Sequence, residues 1–344
     1  MSATPRRPWR PAVLLAAALA ALAACSRTGP AAGAALPRVR FREDWYAQAE
    51  HGGFYQALAR GFYREAGIDV EIVHRGGPGV RVSQLVLAGQ VDIAMGRSDD
   101  IIAWVSRGLP FVIVGVYMEE DPEGILVHDE SPVRTLADLD GRTVMGVPGS
   151  NWIDVIKARY HINFRLIPSN FGLAQFMADK DFIQQCFVTD EPYYVRKNGG
   201  HPRTLLISES GFRPYRVMYT TQRYVREHPA EVRAFVAASL RGWADFMDGD
   251  PAPGKALIAR ANPGMTEDFM DYSIRAMRDA RIVSGRAEAG ERLGAMSRRR
   301  LQEQVDDLFR LGIIPQLIPP DKFARFDLTP PDRQADAKGN AIGP

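Results

Sequence analysis

Cysteine is nearly absent from this chain of 344 residues, which has only Cys25 and Cys186. No four-cysteine zinc site can be built from two thiols, and no disulfide framework can stand in for a core. An excess of one charge is missing too, with 43 Lys and Arg against 41 Asp and Glu, so binding to a polyanion has no electrostatic support. The longest early apolar run, Ala12 to Ala24, is too short to span a bilayer as a mature helix. No lysine follows the Gly76-Gly77-Pro78-Gly79 stretch at the spacing of a phosphate-binding loop, and no Gly-x-Ser-x-Gly elbow occurs. The six histidines show no paired helical spacing for a metal, and there is no internal repeat. Neither a cofactor nor a metal is expected.

What is present begins with a targeting segment. Arg6, Arg7 and Arg10 form a basic head, the apolar run follows, and Leu22-Ala23-Ala24-Cys25 gives way to Ser26-Arg27-Thr28-Gly29-Pro30, a linker without periodicity. This order resembles a bacterial lipoprotein signal, which implies cleavage before Cys25 and its lipidation; an ordinary secretory signal is the other reading. Both export the protein, and the first makes it a cell-envelope lipoprotein on the periplasmic face. Removal of residues 1–25 leaves 40 basic residues against 41 acidic ones and a single thiol, Cys186, which is expected in the core.

From Arg38 the hydrophobic pattern alternates strand and helix, the mark of parallel sheets with helices on their faces. The acidic turn Glu119-Glu120-Asp121-Pro122-Glu123-Gly124 opens a second such series, and Gly211-Phe212-Arg213-Pro214-Tyr215 closes it. The fold class is therefore α/β, with two lobes, each a sheet flanked by helices, joined by two hinge crossings. We expect a signal peptide at 1–25, a linker at 26–37, lobe 1 from 38–122 and 216–326, lobe 2 at 123–215 and a loose tail at 327–344.

The first strand-to-helix connection runs Asp44-Trp45-Tyr46-Ala47-Gln48-Ala49-Glu50-His51-Gly52-Gly53-Phe54-Tyr55 and gathers an acid, an indole, an amide and an imidazole. Open α/β sheets place ligands at such strand ends. Asp44-Trp45, Gln48 and His51 stand in the spacing of a D-W-x-x-N-x-x-H motif. With Gly76-Gly77-Pro78-Gly79-Val80, Gly89-Gln90-Val91-Asp92-Ile93-Ala94, Leu136 to Gly141 and Glu191-Pro192, the chain over about residues 38–250 resembles the thiamine-pyrimidine-precursor-binding proteins of ABC importers. These belong to the wider superfamily of periplasmic binding proteins for nitrate, sulfonates, taurine and pyrimidines. Gln48 stands where the motif has asparagine and Ala47 where it has proline. The resemblance implies a type II-like periplasmic binding protein, monomeric, with an ABC permease as partner and a ligand held between aromatic faces.

Each candidate residue has two readings. Trp45 can stack on a planar ring or pack; Asp44 can accept from an exocyclic amine, cap the helix or pair with an arginine; His51 can meet a ligand or serve structure. Gly77 can lend its N–H to a ligand or make a tight turn, and Ser98 and Asp99 can share a helix cap with a ligand or simply cap. Gly149, Ser150 and Asn151 precede a helix across the cleft, and Glu191 suits an amino-group donor while repelling sulfonate or nitrate. Arg298-Arg299-Arg300 is read as a solvated helix face. The expected function is capture of a small aromatic or heteroaromatic solute, first a thiamine pyrimidine precursor, with riboflavin-like and sulfonate-type solutes as alternatives. An iron-dependent pyrimidine synthase and a sensor that binds without transport are the rival classes.

Overall fold

The computed structural model describes Met1, residues 35–74 and residues 81–330. Cys25, the signal segment and Gly77 lie outside the described residues.

From Pro37 onward the chain forms one compact unit containing two five-stranded mixed sheets. The first is ordered β2-β1-β3-β10-β4, built from β1 (Arg38–Arg42), β2 (Asp69–Val73), β3 (Ile93–Arg97), β4 (Phe111–Met118) and β10 (Arg216–Thr221). The second, β7-β6-β8-β5-β9, contains β5 (Glu123–His128), β6 (Thr143–Gly146), β7 (Arg165–Pro168), β8 (Ile183–Phe187) and β9 (Pro202–Leu206). Alternation predicted parallel sheets, yet each sheet carries one antiparallel strand: β10 against β3 and β4, and β5 against β8 and β9. The reason is topological. Chain leaving β4 at its carboxyl end crosses at 119–122 and enters the second sheet from the facing end, so β5 must run opposite to its neighbours. Crossing back at 211–215 imposes the same reversal on β10.

In the first sheet the helices are α1 (Gly52–Ala59), α2 (Phe62–Glu65), α3 (Val82–Leu87) and α4 (Ser98–Ser106). In the second they are α5 (Asn151–Tyr160), α6 (Ala174–Ala178) and α7 (Glu191–Lys197). After β10 come α8 (Gln222–Glu227), α9 (Pro229–Asp248), α10 (Ala252–Ala261), α11 (Glu267–Asp279) and α12 (Arg298–Arg310). Phe54 to Tyr63 reads as one helical stripe but is split, because Gly61 takes φ 75° and turns the chain between α1 and α2. All eight residues of β4 are buried. Its free edge is covered by the returning chain, where Ile113 N–H donates to Phe323 O (2.7 Å) and Arg325 N–H to Ile113 O (2.9 Å). The tail expected to be loose from residue 327 is still placed at Asp327 and Leu328, in a short 3-10 turn whose Asp327 carboxylate meets Arg325 (2.8 Å).

The two sheets are not separate bodies. Ile101 of α4, Trp152 of α5, Leu205 of β9 and Val217 of β10 belong to one continuous apolar cluster. On the other side of the first sheet a second cluster joins Phe41 and Phe54 to Phe235 and Trp243 of α9. There α1 lies against α9 at backbone contact: a Cβ on Gly242 would sit 2.2 Å from Gly53 O and 2.7 Å from the Ala57 Cβ. The triad Gly52, Gly53 and Gly242 therefore sets where α1 begins, and with it the preceding loop.

That approach makes a stability prediction. Gly242→Ala improves intrinsic helix propensity by about 1 kcal/mol, but overpacking against Gly53 should reverse the sign and cost about 1–3 kcal/mol. The urea midpoint should fall with an unchanged slope; a raised midpoint would show that α1 yields freely.

Candidate functional site

The connection after β1 is held in place from below and behind. Asn262 donates through Nδ2 to Ala47 O (2.9 Å), and Gln48 is extended, with φ −155°, before a 3-10 turn at Ala49–His51 that leads into α1. His51 is 1% exposed and lies between two carboxylates, with Nδ1 3.1 Å from Glu43 and Nε2 3.5 Å from Asp44. Asp44 in turn accepts from the Arg216 guanidinium at 2.5 Å, and Arg216 also donates through Nε to the Tyr117 hydroxyl (3.2 Å). His51 thus acts on Asp44, and both of its ring nitrogens are occupied.

These charges set one another. Burial disfavours the His51 imidazolium, but Glu43 and Asp44 override it and raise His51 from 6.5 to about 9. Burial also works against the Glu43 carboxylate, and His51 with His74 outweighs it, lowering Glu43 to about 2. Asp44 is held well below the usual carboxylate range, against its burial, by Arg216 and His51.

A cavity of about 570 Å³ opens between the strand-end loops of the two sheets. Asp44, Trp45 and Gln48 line it from the first sheet, and Glu191 lines it from the second, so four of the sequence candidates come together. Phe171, Phe187, Tyr194 and Asp190 complete its aromatic and acidic character. Glu191 spends one oxygen on the Phe187 N–H (2.7 Å), closing the β8 to α7 turn. Burial raises Glu191 to about 7 and raises Asp190 well above its ordinary value, with Glu50 adding to both. Glu50 is itself bonded by the Thr189 hydroxyl across the two sheets. No basic side chain stands among the described residues that line the cavity.

Ser98, Asp99, Ser150 and Asn151 are placed elsewhere. Ser98 is fully buried and its hydroxyl donates to Gln304 Oε1 (2.6 Å) while accepting from Tyr215 N–H (2.9 Å), which ties α4 to α12 and to the returning chain. Asn151 donates to Asp99 Oδ2 (2.9 Å), and Arg97 bonds Asp99 (3.1 Å) and Glu123. Arg97, Asp99, Glu123 and Asn151 form a largely buried polar bridge between the sheets, because Arg97 enters the interior and needs several carboxylates to offset its desolvation. Ser150 precedes α5 without a capping hydrogen bond and does not line the cavity. Cys186 is 2% exposed as expected of a core thiol, yet it borders the cavity wall. Of the three arginines read as a solvated face, Arg300 is buried instead, donating to Glu119 O and Arg213 O where the chain crosses between sheets.

Phe171 is the main residue that hydrophobic periodicity does not single out. It follows β7 in the turn Ser169-Asn170-Phe171-Gly172, holds φ 58° and is 54% exposed. A left-handed conformation at a bulky residue costs about 1–3 kcal/mol. Ser169 Oγ accepts from the Phe171 N–H (3.1 Å) and Asn170 Oδ1 from the Gly172 N–H (2.9 Å), and these bonds hold the turn. The ring centroid lies 5.2 Å from that of Trp45, tilted by 39°. Only the Ser-Asn pair after a strand hinted at a structured turn there.

Two mixed sheets with reciprocal crossings and a cavity between their loops define the periplasmic-binding-protein fold. Over 84% of this chain and 92% of the other, the structure superposes on the periplasmic aliphatic sulphonate-binding protein SsuA of Escherichia coli, with a TM-score of 0.62 and 17% identity. Residues 48–252, more than half of the chain, match the NMT1/THI5-like family, and the protein belongs to that family. Among its relatives is the formylaminopyrimidine-binding protein of Halalkalibacterium halodurans, 26% identical over 71% of this chain and 76% of that one. Another is the 4-amino-5-hydroxymethyl-2-methylpyrimidine phosphate synthase of Candida albicans, 22% identical over 67% and 74%.

The buried chain from Glu43 through His51 to Asp44 predicts a specific pH response. Because His51 is raised in the folded state, its contribution is complete below pH 6.5 and is lost as pH rises toward 9, a loss of about 3 kcal/mol. Denaturant melts of the wild type should show this decline, while His51→Gln should start less stable and lose less between about pH 7.5 and 9, above the range where Glu191 titrates. An equal slope in the variant would assign the decline to other groups.

Proposed function

We propose that this protein is an exported solute-binding lipoprotein of an ABC importer, and that it captures a small planar nitrogen heteroaromatic, first of all a thiamine pyrimidine precursor. The observation that carries this reading is the cavity lining. Trp45, Phe171, Phe187 and Tyr194 offer ring faces or edges, while Asp190 and Glu191 offer carboxylate oxygens with no basic neighbour among the described lining residues. Asp44 is already neutralised by Arg216. An amino or amidinium edge would supply the counter-charge that the half-buried Asp190 and Glu191 lack and would draw them into the ionised form, whereas a sulfonate or nitrate would find no cation among the described lining residues. The formylaminopyrimidine named for the Halalkalibacterium relative carries an N–H donor on a planar nitrogen ring. A riboflavin-like ring is the second choice, since it offers faces but a weaker donor edge.

Binding is preferred to catalysis on the state of the loop itself. A general acid or base needs a free nitrogen or oxygen within reach of the substrate, and His51 has both nitrogens engaged and 1% exposure. The synthase relatives keep the enzymatic reading testable, through turnover of bound pyrimidine on adding iron.

Mass spectrometry of solute released from the purified protein, followed by calorimetric titration with 4-aminopyrimidines, riboflavin and aliphatic sulfonates, tests the ligand class. Heat with the aminopyrimidines is expected, and Trp45→Ala and Asp190→Asn should each weaken binding about ten- to a hundredfold. Tight binding of an aliphatic sulfonate with no response to any planar ring would sink the proposal. For the anchor, metabolic labelling with a fatty-acid analogue should mark the wild type and not Cys25→Ser.

A further inference from the structure

A second cavity, of about 170 Å³, lies where the two crossings meet α12, and it shares no lining residue with the cavity between the strand-end loops. That volume is far beyond the ~15 Å³ that a single water needs. Glu119 reaches it from the outgoing crossing, Arg213 from the returning one, Arg286 and Glu291 from the loop after α11, and Arg299 and Arg300 from the first turn of α12. Arg300 is 8% exposed and holds both crossings through Nη2, which donates to Glu119 O (2.5 Å) and Arg213 O (2.8 Å). Its Nη1 is buried without a hydrogen-bond partner, with carboxylate oxygens of Glu119 and Glu291 3.5 and 3.6 Å away. A buried donor left unmet is costly, and this one belongs to the wall of a cavity.

We propose that the cavity at the crossings is a second binding site, which takes a phosphate-sized oxyanion onto Arg300 and thereby fastens both crossings to α12. The other acids of the lining each have an arginine already: Glu291 meets Arg213 (2.9 Å), Glu303 meets Arg299 (3.8 Å) and Asp307 meets Arg159 (2.8 Å). Glu119 has an unpartnered Oε1, and burial, against the pull of Arg300, holds its carboxyl well above the ordinary value. In the protonated form it adds a donor where a carboxylate would repel an anion. Helix α12 opens on Arg298, Arg299 and Arg300 with no acid in its first turn, the reverse of what a helix dipole favours, and an oxyanion there answers the dipole and the guanidinium together. The same guanidinium then carries the anion and the carbonyls of both crossings, so an occupied site should stiffen the connection between the two sheets. The argument for this site makes no use of the solute proposed above.

Inorganic phosphate and sulfate are the probes, added to the full chain at constant ionic strength with chloride as the balancing salt. The melting temperature should rise with the logarithm of phosphate concentration once the site fills, and chloride alone should give no such rise. Arg300→Gln would remove the main partner but also the bonds to both crossings, so the test uses the rim instead, where the Arg286 and Arg299 side chains are 44% and 69% exposed. The double variant Arg286→Ser with Arg299→Ser should fold and bind phosphate about tenfold more weakly. Hydrogen exchange locates the effect: with phosphate, protection should increase in peptides spanning 119–123 and 211–216. No response to either oxyanion overturns the site, as does a rise common to all salts, an undiminished affinity in the double variant, or protection confined to other segments. If the wild type binds no aminopyrimidine, the proposed function fails while these readouts still decide the anion site.

Discussion

Arg97 and Arg216 lie buried where the two sheets meet, and a buried guanidinium must be met by carboxylates or it unfolds what surrounds it. Arg216 begins β10, the strand that returns from the second sheet, and draws Asp44 toward it; Asp44 draws His51, and His51 draws Glu43. The geometry of the first loop follows from that chain of charges. Arg97 ends β3 and collects Asp99, Asp121 and Glu123, with Asn151 attached to Asp99 from the other sheet. Arg97 thus joins the sheets, and the two cations engage Asp44 and Asp99 directly and His51 and Asn151 through them.

What remains for the cavity is what those cations leave over. Asp190 and Glu191 stand at the start of α7, outside the ion pairs that Arg97 and Arg216 make among the described residues, and desolvation with Glu50 nearby raises both. They are the acidic groups with capacity to spare. The aromatic rings around them come from both sheets, so the cavity is aromatic on its sides and acidic on one wall. Under the proposed function that pairing favours a donor edge over an anion, although the fold is shared with a sulphonate-binding protein. Fold likeness at 17% identity carries the scaffold and leaves the choice of solute to the lining.

Much of the scaffold was legible. Alternating apolar runs from Arg38 onward marked strands and helices, and acidic or proline-bearing turns marked both crossings between sheets. Of the candidate loop, Asp44, Trp45 and Gln48 do reach the cavity, and Glu191 meets them there. Ser98, Asp99 and Asn151 were credible for the same local reason, polar groups at helix starts, but helix starts say nothing of what lies opposite them. The antiparallel sense of β5 and β10 was not legible either, since strand direction depends on the end from which the chain enters a sheet. Arg300 illustrates the limit on charge runs: Arg298 and Arg299 are exposed, while the next residue points into the crossing.

The sequence by itself determined the α/β alternation, the two crossings, the lack of thiols for metal or disulfide, and the first loop as a place where a ligand could sit. Local pattern suffices for these, because strand and helix periods and turn chemistry act over a few residues. Only the tertiary structure decided which acids are spent on Arg97 and Arg216 and which face the cavity, and that Phe171 stands against Trp45. Arg216 and Asp44 stand more than a hundred residues apart along the chain and meet in the interior, where the cost of an unpaired charge, rather than any local preference, chooses the partner; Phe171 and Trp45, also distant in sequence, meet because the fold brings the loops of the two sheets together.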